Sequence, residues 1–393
     1  MKRRRVVVTG LGASSAAGAG VGAFWSACVA GRAALRPDSR FQCGAAERPP
    51  VGLFPGTLPR DEERGSALAL EASREALQDA RFGADQLPSL GIVLGSCLGG
   101  ALETFNWLDD PREADDAARL PFPESGSLCS PASRLAEQYG VTGPVISISS
   151  ACSSGIGAIA QAAACIRRGE TDCMLAGGVD ALSVFVLAGF RALGALTPMQ
   201  VRPFDRRRDG LALGEGAGIL VLEEHSRALQ RGVPVLAELM GCGTAGDTSP
   251  GALPARTADG LVRAISAAFT EAGRGPDSVD FVSAQGTGTP HGDQVEALAI
   301  RSAFGEHGSR IAVHSHKPIV GHALGAAGAL SAILCVQVLR HGLLPPTINH
   351  DEPDAGCDLD CVSGRARSSE VRCALALSSG FASHNAALLL GRR

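Results

Sequence analysis

Lysine is almost missing from this 393-residue chain: Lys2 and Lys317 are the only two, so nearly all the positive charge is arginine. With 36 Lys+Arg against 40 Asp+Glu, charges of both signs are interspersed, and no basic stretch is dense enough to track a phosphate backbone. That excludes nucleic acid as a partner. Aromatics are scarce at 4%, whereas glycine is abundant at 50 residues, so close packing must come from small side chains. None of the twelve cysteines forms a CxxC pair, and Cys165, Cys335 and Cys373 sit inside apolar runs. Buried, reduced thiols fit that scatter better than a disulfide framework. Long apolar runs are absent too: nothing approaches the roughly 18 residues of a membrane helix. The basic start Lys2-Arg3-Arg4-Arg5 is followed only by Val6-Val7-Val8, too short for a secretory signal. A cytoplasmic protein with no membrane partner is expected.

The chain is too long for one small core and suits two α/β lobes or one large layered domain. Val6–Val8, Ile92–Leu94, Val145–Ile148, Phe281-Val282 and Ile311–Val313 read as strands buried on both faces. Between them, Leu68/Ala72/Ala76 and Leu261/Ile265/Ala268/Phe269 recur at helical spacing, which argues for α/β layers. Two segments also resemble each other. Val145 to Gly169 runs strand, polar turn and small-residue helix, closing on Arg167-Arg168-Gly169; Ile311 to Gly342 does the same, closing on Arg340-His341-Gly342. Both helices are apolar nearly all round and end in a C-cap signature, so both are expected between sheets. The pattern suggests a duplicated domain with pseudo-twofold symmetry, residues 1–240 and 241–393. The alternative is that small-residue helices simply look alike.

Cys152, in Ser149-Ser150-Ala151-Cys152-Ser153-Ser154-Gly155, stands where a strand ends and a buried helix begins. Free N–H groups and the positive dipole end lower a thiol pKa there and can hold an oxyanion. The run Ser283 to Asp293, with Glu296 beyond, is a glycine-rich loop after a strand; its hydroxyls Thr287 and Thr289 suit an amide-bearing substrate arm. It has neither a Walker lysine nor GxGxxG spacing, and Gly10-Leu11-Gly12 is no dinucleotide fingerprint because Ser15 replaces the third glycine. His322 directly precedes the second buried helix and mirrors Cys152 in the repeat, which predicts a Cys–His arrangement. His314 and His316 are left as structural residues. Ser378–Asn385, after strand Cys373–Leu377, is a turn that can supply a second oxyanion N–H.

Together these segments resemble the elongating β-ketoacyl-acyl-carrier-protein synthases, including type II polyketide ketosynthases. The resemblance runs from Val6–Gly12 to Ser378–Asn385 and includes Phe24-Trp25, Ala176-Gly177-Gly178 and Arg202–Gly218. It implies a thiolase fold: duplicated βαβαβαββ halves in a five-layer αβαβα sandwich, as a homodimer or a heterodimer with a related subunit. It also implies roles. Cys152 takes an acyl chain from acyl carrier protein, and His322 donates to the malonyl carbonyl as decarboxylation generates an enolate. Lys317 and Glu296 organise the site, and Thr287 and Thr289 bind the phosphopantetheine arm. Phe381 gates the pocket, its N–H and that of Cys152 forming the oxyanion hole. No metal and no permanently bound cofactor is implied.

Three departures stand out. Gln285 replaces the first histidine of the family's HGTGT motif; it can donate a neutral N–H but cannot carry a proton or charge. Ser379-Gly380-Phe381-Ala382-Ser383 replaces Phe-Gly-Phe-Gly-Gly, which stiffens the gate. His291 stands where relatives carry an apolar residue and reads as either a surface histidine or a partial replacement for the lost imidazole. The leading reading is therefore a decarboxylative condensing enzyme of polyketide or specialised fatty-acid biosynthesis. The alternative is a non-elongating ketosynthase that passes its acyl group from Cys152 to another acceptor. A chain-length factor is disfavoured by the intact Cys152, and a thiolase by the lack of a cysteine in Gly380–Asn385.

Overall fold

The computed structural model describes residues 4–41, 48–59, 62–101, 104, 125–247, 257–380 and 384–392. Its principal elements repeat one order twice. The first half runs β1 (Val6–Ser15), α1 (Arg64–Asp79), β2 (Gly91–Gly95), α2 (Ser130–Tyr139), β3 (Val145–Ile148), α3 (Ser154–Arg168), β4 (Cys173–Asp180) and β5 (Gly216–Glu224). The second runs β6 (Ala237–Gly246), α4 (Asp259–Ala272), β7 (Phe281–Ser283), α5 (Pro290–Phe304), β8 (Ala312–His314), α6 (Ala327–His341), β9 (Cys373–Ser379) and β10 (His384–Gly391). These strands also share one order, β3-β2-β4-β5-β1 and β8-β7-β9-β10-β6, with the first two pairings parallel and the last two antiparallel; Asp360–Cys361 adds a short parallel strand outside β8. Where the halves meet, Val6–Val8 of β1 pair antiparallel with Ala237–Leu239 of β6.

Three large apolar clusters hold most of the core, as five layers require, with a small fourth at Val7, Ala228 and Val233. Leu68, Ala72 and Ala76 of α1 pack on one outer face, and Leu261, Ile265 and Ala268 of α4 on the other. Between the sheets lie α3 and α6, represented by Ile156, Ile159, Leu330 and Ile333. The expectation that no stretch approaches membrane length is corrected by Leu324–His341, a helix long and apolar enough to cross one, but 89% of it is buried inside the protein, as the middle layer demands. Gly169 and Gly342 close α3 and α6 in the left-handed conformation, the C-cap their sequences predict.

Small residues set the spacing of this middle layer. A Cβ on Gly155 would stand 2.6 Å from the Gly325 carbonyl oxygen and 2.9 Å from the Ala329 nitrogen, and one on Gly178 would stand 2.2 Å from the Gly325 oxygen. Gly328 would meet the Ile156 nitrogen at 3.1 Å, so Gly155–Ala329 and Ile156–Gly328 are reciprocal contacts, as a pseudo-twofold axis requires. One separation, 173 residues, relates Gly155 to Gly328, Gly169 to Gly342, and the left-handed Ala151 (φ 51°) to Leu324 (φ 49°). Cys152 therefore corresponds to Gly325, and His322 corresponds to Ser149. The expected mirroring of Cys152 by His322 is displaced by three residues, because the loop between β8 and α6 is longer and holds a short helix, Lys317–Val320.

Two burial expectations change. Val145 is 41% exposed and the rest of β3 is half-buried, because β3 is the outermost strand of its sheet among the described residues. An apolar edge strand and a central one read alike in sequence. Helix α3 keeps a half-buried stripe at Gly157, Ala160, Gln161 and Ala164, whereas α6 is buried from Ala327 to Leu339. The stripe borders a groove shared with Thr244, Ala245 and His384 at the ends of β6 and β10.

Gly178→Val forces a side chain into the Gly325 backbone and should cost on the order of 3 kcal/mol, read as a lower urea midpoint at unchanged slope. Gly189, on an exposed helix with nothing within 4 Å of an added Cβ, is the contrast. Gly189→Ala should raise the midpoint, by about 0.5–1 kcal/mol.

Candidate active site

Parallel strands carry the reactive groups at their C-terminal ends, where open α/β sheets place their ligand sites. Cys97 follows β2, Cys152 follows β3, Asp180 ends β4, Gln285 follows β7, and Lys317 and His322 follow β8. Ser379 ends β9, with Gly380 beyond it. The close contact of α3 with α6 then brings the two sets together. Cys152, Gln285, Thr287, Thr289, Glu296 and His322 all line one cavity of about 320 Å³.

The left-handed Ala151 makes the turn that delivers Cys152 to the start of α3, a conformation costing about 1–2 kcal/mol for a residue with a Cβ. Ser378 Oγ donates to the Cys152 carbonyl at 2.8 Å and Ser153 Oγ donates to that of Ser150 at 2.7 Å, holding the turn. Cys152 itself is 3% exposed. Its thiol is held well below the ordinary cysteine range, first by the neighbouring Cys97 thiol and then by His322 and the charge of Lys317. Burial opposes these effects and is outweighed. Cys97 is displaced upward by the Cys152 thiol, by burial and by the Asp180 carboxylate.

Beneath the cysteine, Lys317 is fully buried, with Nζ 3.5 Å from the Ala284 carbonyl. Burial pulls its ammonium down to about 8, against the opposing charges of Glu296, Cys152 and Asp293. Glu296 accepts from the backbone N–H groups of Gln285 (2.6 Å) and Gly286 (2.7 Å), and burial raises its carboxyl despite both bonds and the nearby lysine. Asp293 accepts from Phe204 N–H at 2.8 Å and Gly288 N–H at 3.1 Å, and burial lifts it to about 7. These two carboxyls shape the Gln285–Thr289 loop, in which the Thr287 and Thr289 hydroxyls lie 3.0 Å apart.

Gln285 donates from Nε2 to the Ser379 carbonyl at 3.0 Å, and its Oε1 lies 3.4 Å from Ser378 Oγ. A carbonyl only accepts, so the amide orientation follows: one N–H is committed to Ser379 and one remains for the cavity. His322 is 1% exposed and acts on the Cys152 thiol to lower it, its own backbone N–H donating to Ala212 O at 2.8 Å. His314 and His316 are fully buried, and burial pushes the former down to about 3 and the latter well below its usual range. Both are neutral packing residues, His316 resting edge-on against Phe24. His291 is an exposed residue on the first turn of α5, at the cavity rim. Phe381, the expected gate and oxyanion donor, lies outside the described residues.

Sequence reasoning missed Cys97, Asp180 and the part played by Asp293. The rule that finds Cys152, a reactive side chain just past a parallel strand, also finds Cys97 after Gly91–Gly95. Asp180 accepts from Ser96 Oγ at 2.6 Å, Cys97 N–H at 2.8 Å and Gly325 N–H at 2.7 Å, tying the two halves together. Nothing local in sequence announces that. Gly10 and Gly12, read as no nucleotide fingerprint, pack directly on α1: a Cβ would stand 2.2 Å from Ala76 O and 1.8 Å from Ala72 O, respectively.

Residues 3–228 match the N-terminal domain of β-ketoacyl synthases and residues 236–351 match the C-terminal domain. The chain is 35% identical over 416 residues to 3-oxoacyl-(acyl-carrier-protein) synthase 2 of Coxiella burnetii, spanning 100% of this chain and 99% of that one. It is 34% identical over 424 residues to the tetracenomycin polyketide synthase ketoacyl synthase alpha subunit of Streptomyces glaucescens, spanning 99% and 97%. Among solved structures, the ishigamide ketosynthase/chain length factor superposes with a TM-score of 0.92 at 35% identity, covering 100% of each chain. A ketosynthase bound to the hexaketide, in complex with its type II polyketide acyl carrier protein, superposes with a TM-score of 0.91 at 29% identity, again covering 100% of each chain. With both domains matched in order and such relatives spanning its whole length, the chain belongs to the β-ketoacyl synthase family and has its thiolase-like fold.

Proposed function

We propose that the protein is a β-ketoacyl-acyl-carrier-protein synthase of polyketide or specialised fatty-acid biosynthesis, with Cys152 as the acyl-bearing nucleophile. The observation that carries this reading is that Cys152, at a helix start, shares one cavity with Gln285, Thr287, Thr289, Glu296 and His322, beside the buried charge of Lys317 that favours its thiolate. The Cys152 thiolate attacks the thioester carbonyl of an acyl group on the phosphopantetheine arm of acyl carrier protein, and the arm's thiol leaves. Thr287 and Thr289 line the cavity where that arm would lie. Malonyl thioester then enters; its carboxylate leaves as CO₂, and the electron pair collects on the thioester as an enolate. His322 and the remaining Gln285 N–H donate to that oxygen. The enolate carbon attacks acyl-Cys152, a C–C bond forms, and the Cys152 thiolate is expelled. In this reading residues 1–240 bring the nucleophile, and 241–393 bring Gln285, Lys317, Glu296, His322 and the gate, with Phe381 as oxyanion partner. A cytoplasmic homodimer, or a heterodimer with a related subunit, completes it.

A second reading is that acyl-Cys152 passes its group on without elongation. It is favoured by Gln285, half of whose donor capacity is committed to Ser379.

Incubation with acyl-loaded and then malonyl-loaded carrier protein, followed by intact mass, tests both. Acyl-Cys152 followed by a two-carbon-longer product is expected; loading without extension refutes the first reading in favour of the second. His322→Ala should slow extension about 10²–10³-fold, while Gln285→His should speed it if donor capacity limits the rate. The pH dependence of Cys152 alkylation should level off below the ordinary thiol value of about 8.5. Lys317→Met removes a charge that favours the thiolate, so its inflection should move upward and its rate at neutral pH should fall. An unmoved inflection would exclude Lys317 from that role.

A further inference from the structure

Of the cysteines in the described residues, most are buried among apolar side chains with their thiols pushed up by burial, as at Cys28, Cys335, Cys361 and Cys373, and are inert by that criterion. Cys97 is different: it is half-buried, it follows the strand beside the one that leads to Cys152, and the two thiols each shift the other's titration. The backbone holds the two residues in place. β2 and β3 are adjacent parallel strands with Gly95 beside Ile148, so the segments leaving them emerge side by side. Cys97 N–H donates to Asp180 Oδ2 at 2.8 Å, and Ser149 Oγ donates to the Cys97 carbonyl at 3.2 Å. Both neighbours come from rigid positions, one the end of β4 and the other three residues before Cys152.

We propose that Cys97 is a resolving thiol for Cys152, so that a hydroperoxide converts the pair into a reversible Cys97–Cys152 disulfide that switches the nucleophile off. The two sulfurs are suited to unlike roles. Cys152 faces His322 and Lys317 and carries the thiolate; Cys97 faces Asp180 and the Cys152 sulfur and keeps its proton. The Cys152 thiolate attacks the peroxide oxygen, an S–O bond forms, the O–O bond breaks, and hydroxide or alkoxide leaves and takes up a proton. Cys97 sulfur then attacks the sulfenic sulfur; its proton leaves with the hydroxyl as water as the S–S bond forms. Both thiols are oxidised, the peroxide is reduced, and a dithiol reductant reverses the bond. Sulfinic acid, the irreversible product, is forestalled because the second thiol is close at hand. An acyl group on Cys152 blocks the first step, so only the unloaded enzyme is open to the switch.

The consequence for catalysis rests on Cys152 being the acyl-bearing residue, but the chemistry can be read without it. The full-length reduced protein is treated with hydrogen peroxide and followed by intact mass, peptide mapping and iodoacetamide labelling. Loss of two hydrogens, a linked peptide pair containing Cys97 and Cys152, and full return of Cys152 labelling with dithiothreitol are expected. Cys97→Ala and Cys97→Ser should instead gain oxygens at Cys152, with labelling that dithiothreitol does not restore. Gain of oxygens at Cys152 without a linked pair in the unsubstituted protein would overturn the proposal, as would equal recovery in the two variants. Failure of reduced protein to take an acyl group from its carrier would instead overturn the functional reading and leave the disulfide result standing.

Discussion

The contact between the starts of α3 and α6 is the constraint on which everything else depends. Gly155, Gly178, Gly325 and Gly328 bring backbone against backbone at distances where any side chain would collide. No hydrophobic contact between larger residues would bring the two helix starts, and so Cys152 and His322, this close. The Asp180 carboxylate reinforces the junction by accepting from Cys97 N–H on its own half and Gly325 N–H on the other. Burial raises that carboxyl, opposed by the several bonds it accepts, so its cost is spread over backbone groups that would otherwise be unsatisfied.

Around that junction charge is handled by burial rather than by exposure. Lys317, Glu296 and Asp293 are all removed from water, and each is shifted toward its neutral form by desolvation; Lys317 and Glu296 pull each other back, whereas the Glu296 charge pushes Asp293 further up. Such a set remains responsive near neutrality, unlike surface ion pairs fixed by solvent. Within it, Cys152 is the group pulled toward its charged form. Its partner His322 comes from the longer β8–α6 loop, an addition that breaks the internal symmetry where chemistry needs two different groups. The symmetric position is filled by Gly325, whose lack of a side chain is itself required for the halves to meet.

Much of this was legible in the chain. Apolar runs alternating with helical spacing predict the α/β layers, and the C-cap glycines mark the ends of both central helices. The turn residues before Cys152 single it out among twelve cysteines, and the order of motifs predicts the fold family. Less was legible at edges and between segments. The apolar content of β3 says nothing about which strand lies beside it, so its exposure was not foreseen. The partial opening of α3 follows from the same edge. The exact counterpart of Cys152 depends on an insertion whose length is visible only once the strand end at His314 is known.

By itself the sequence determined the repeat, the nucleophile and the replacement at Gln285, because each is a matter of residue type at a local position. Only the tertiary structure decided that the Gln285 amide spends one N–H on Ser379, that Asp180 ties the halves, and that the strands before Cys97 and Cys152 run side by side. Those facts join residues far apart in the chain, and nothing in local composition encodes the distance between two strand ends. That distance is set by the strand order of the sheets and by the glycines that let the helices meet.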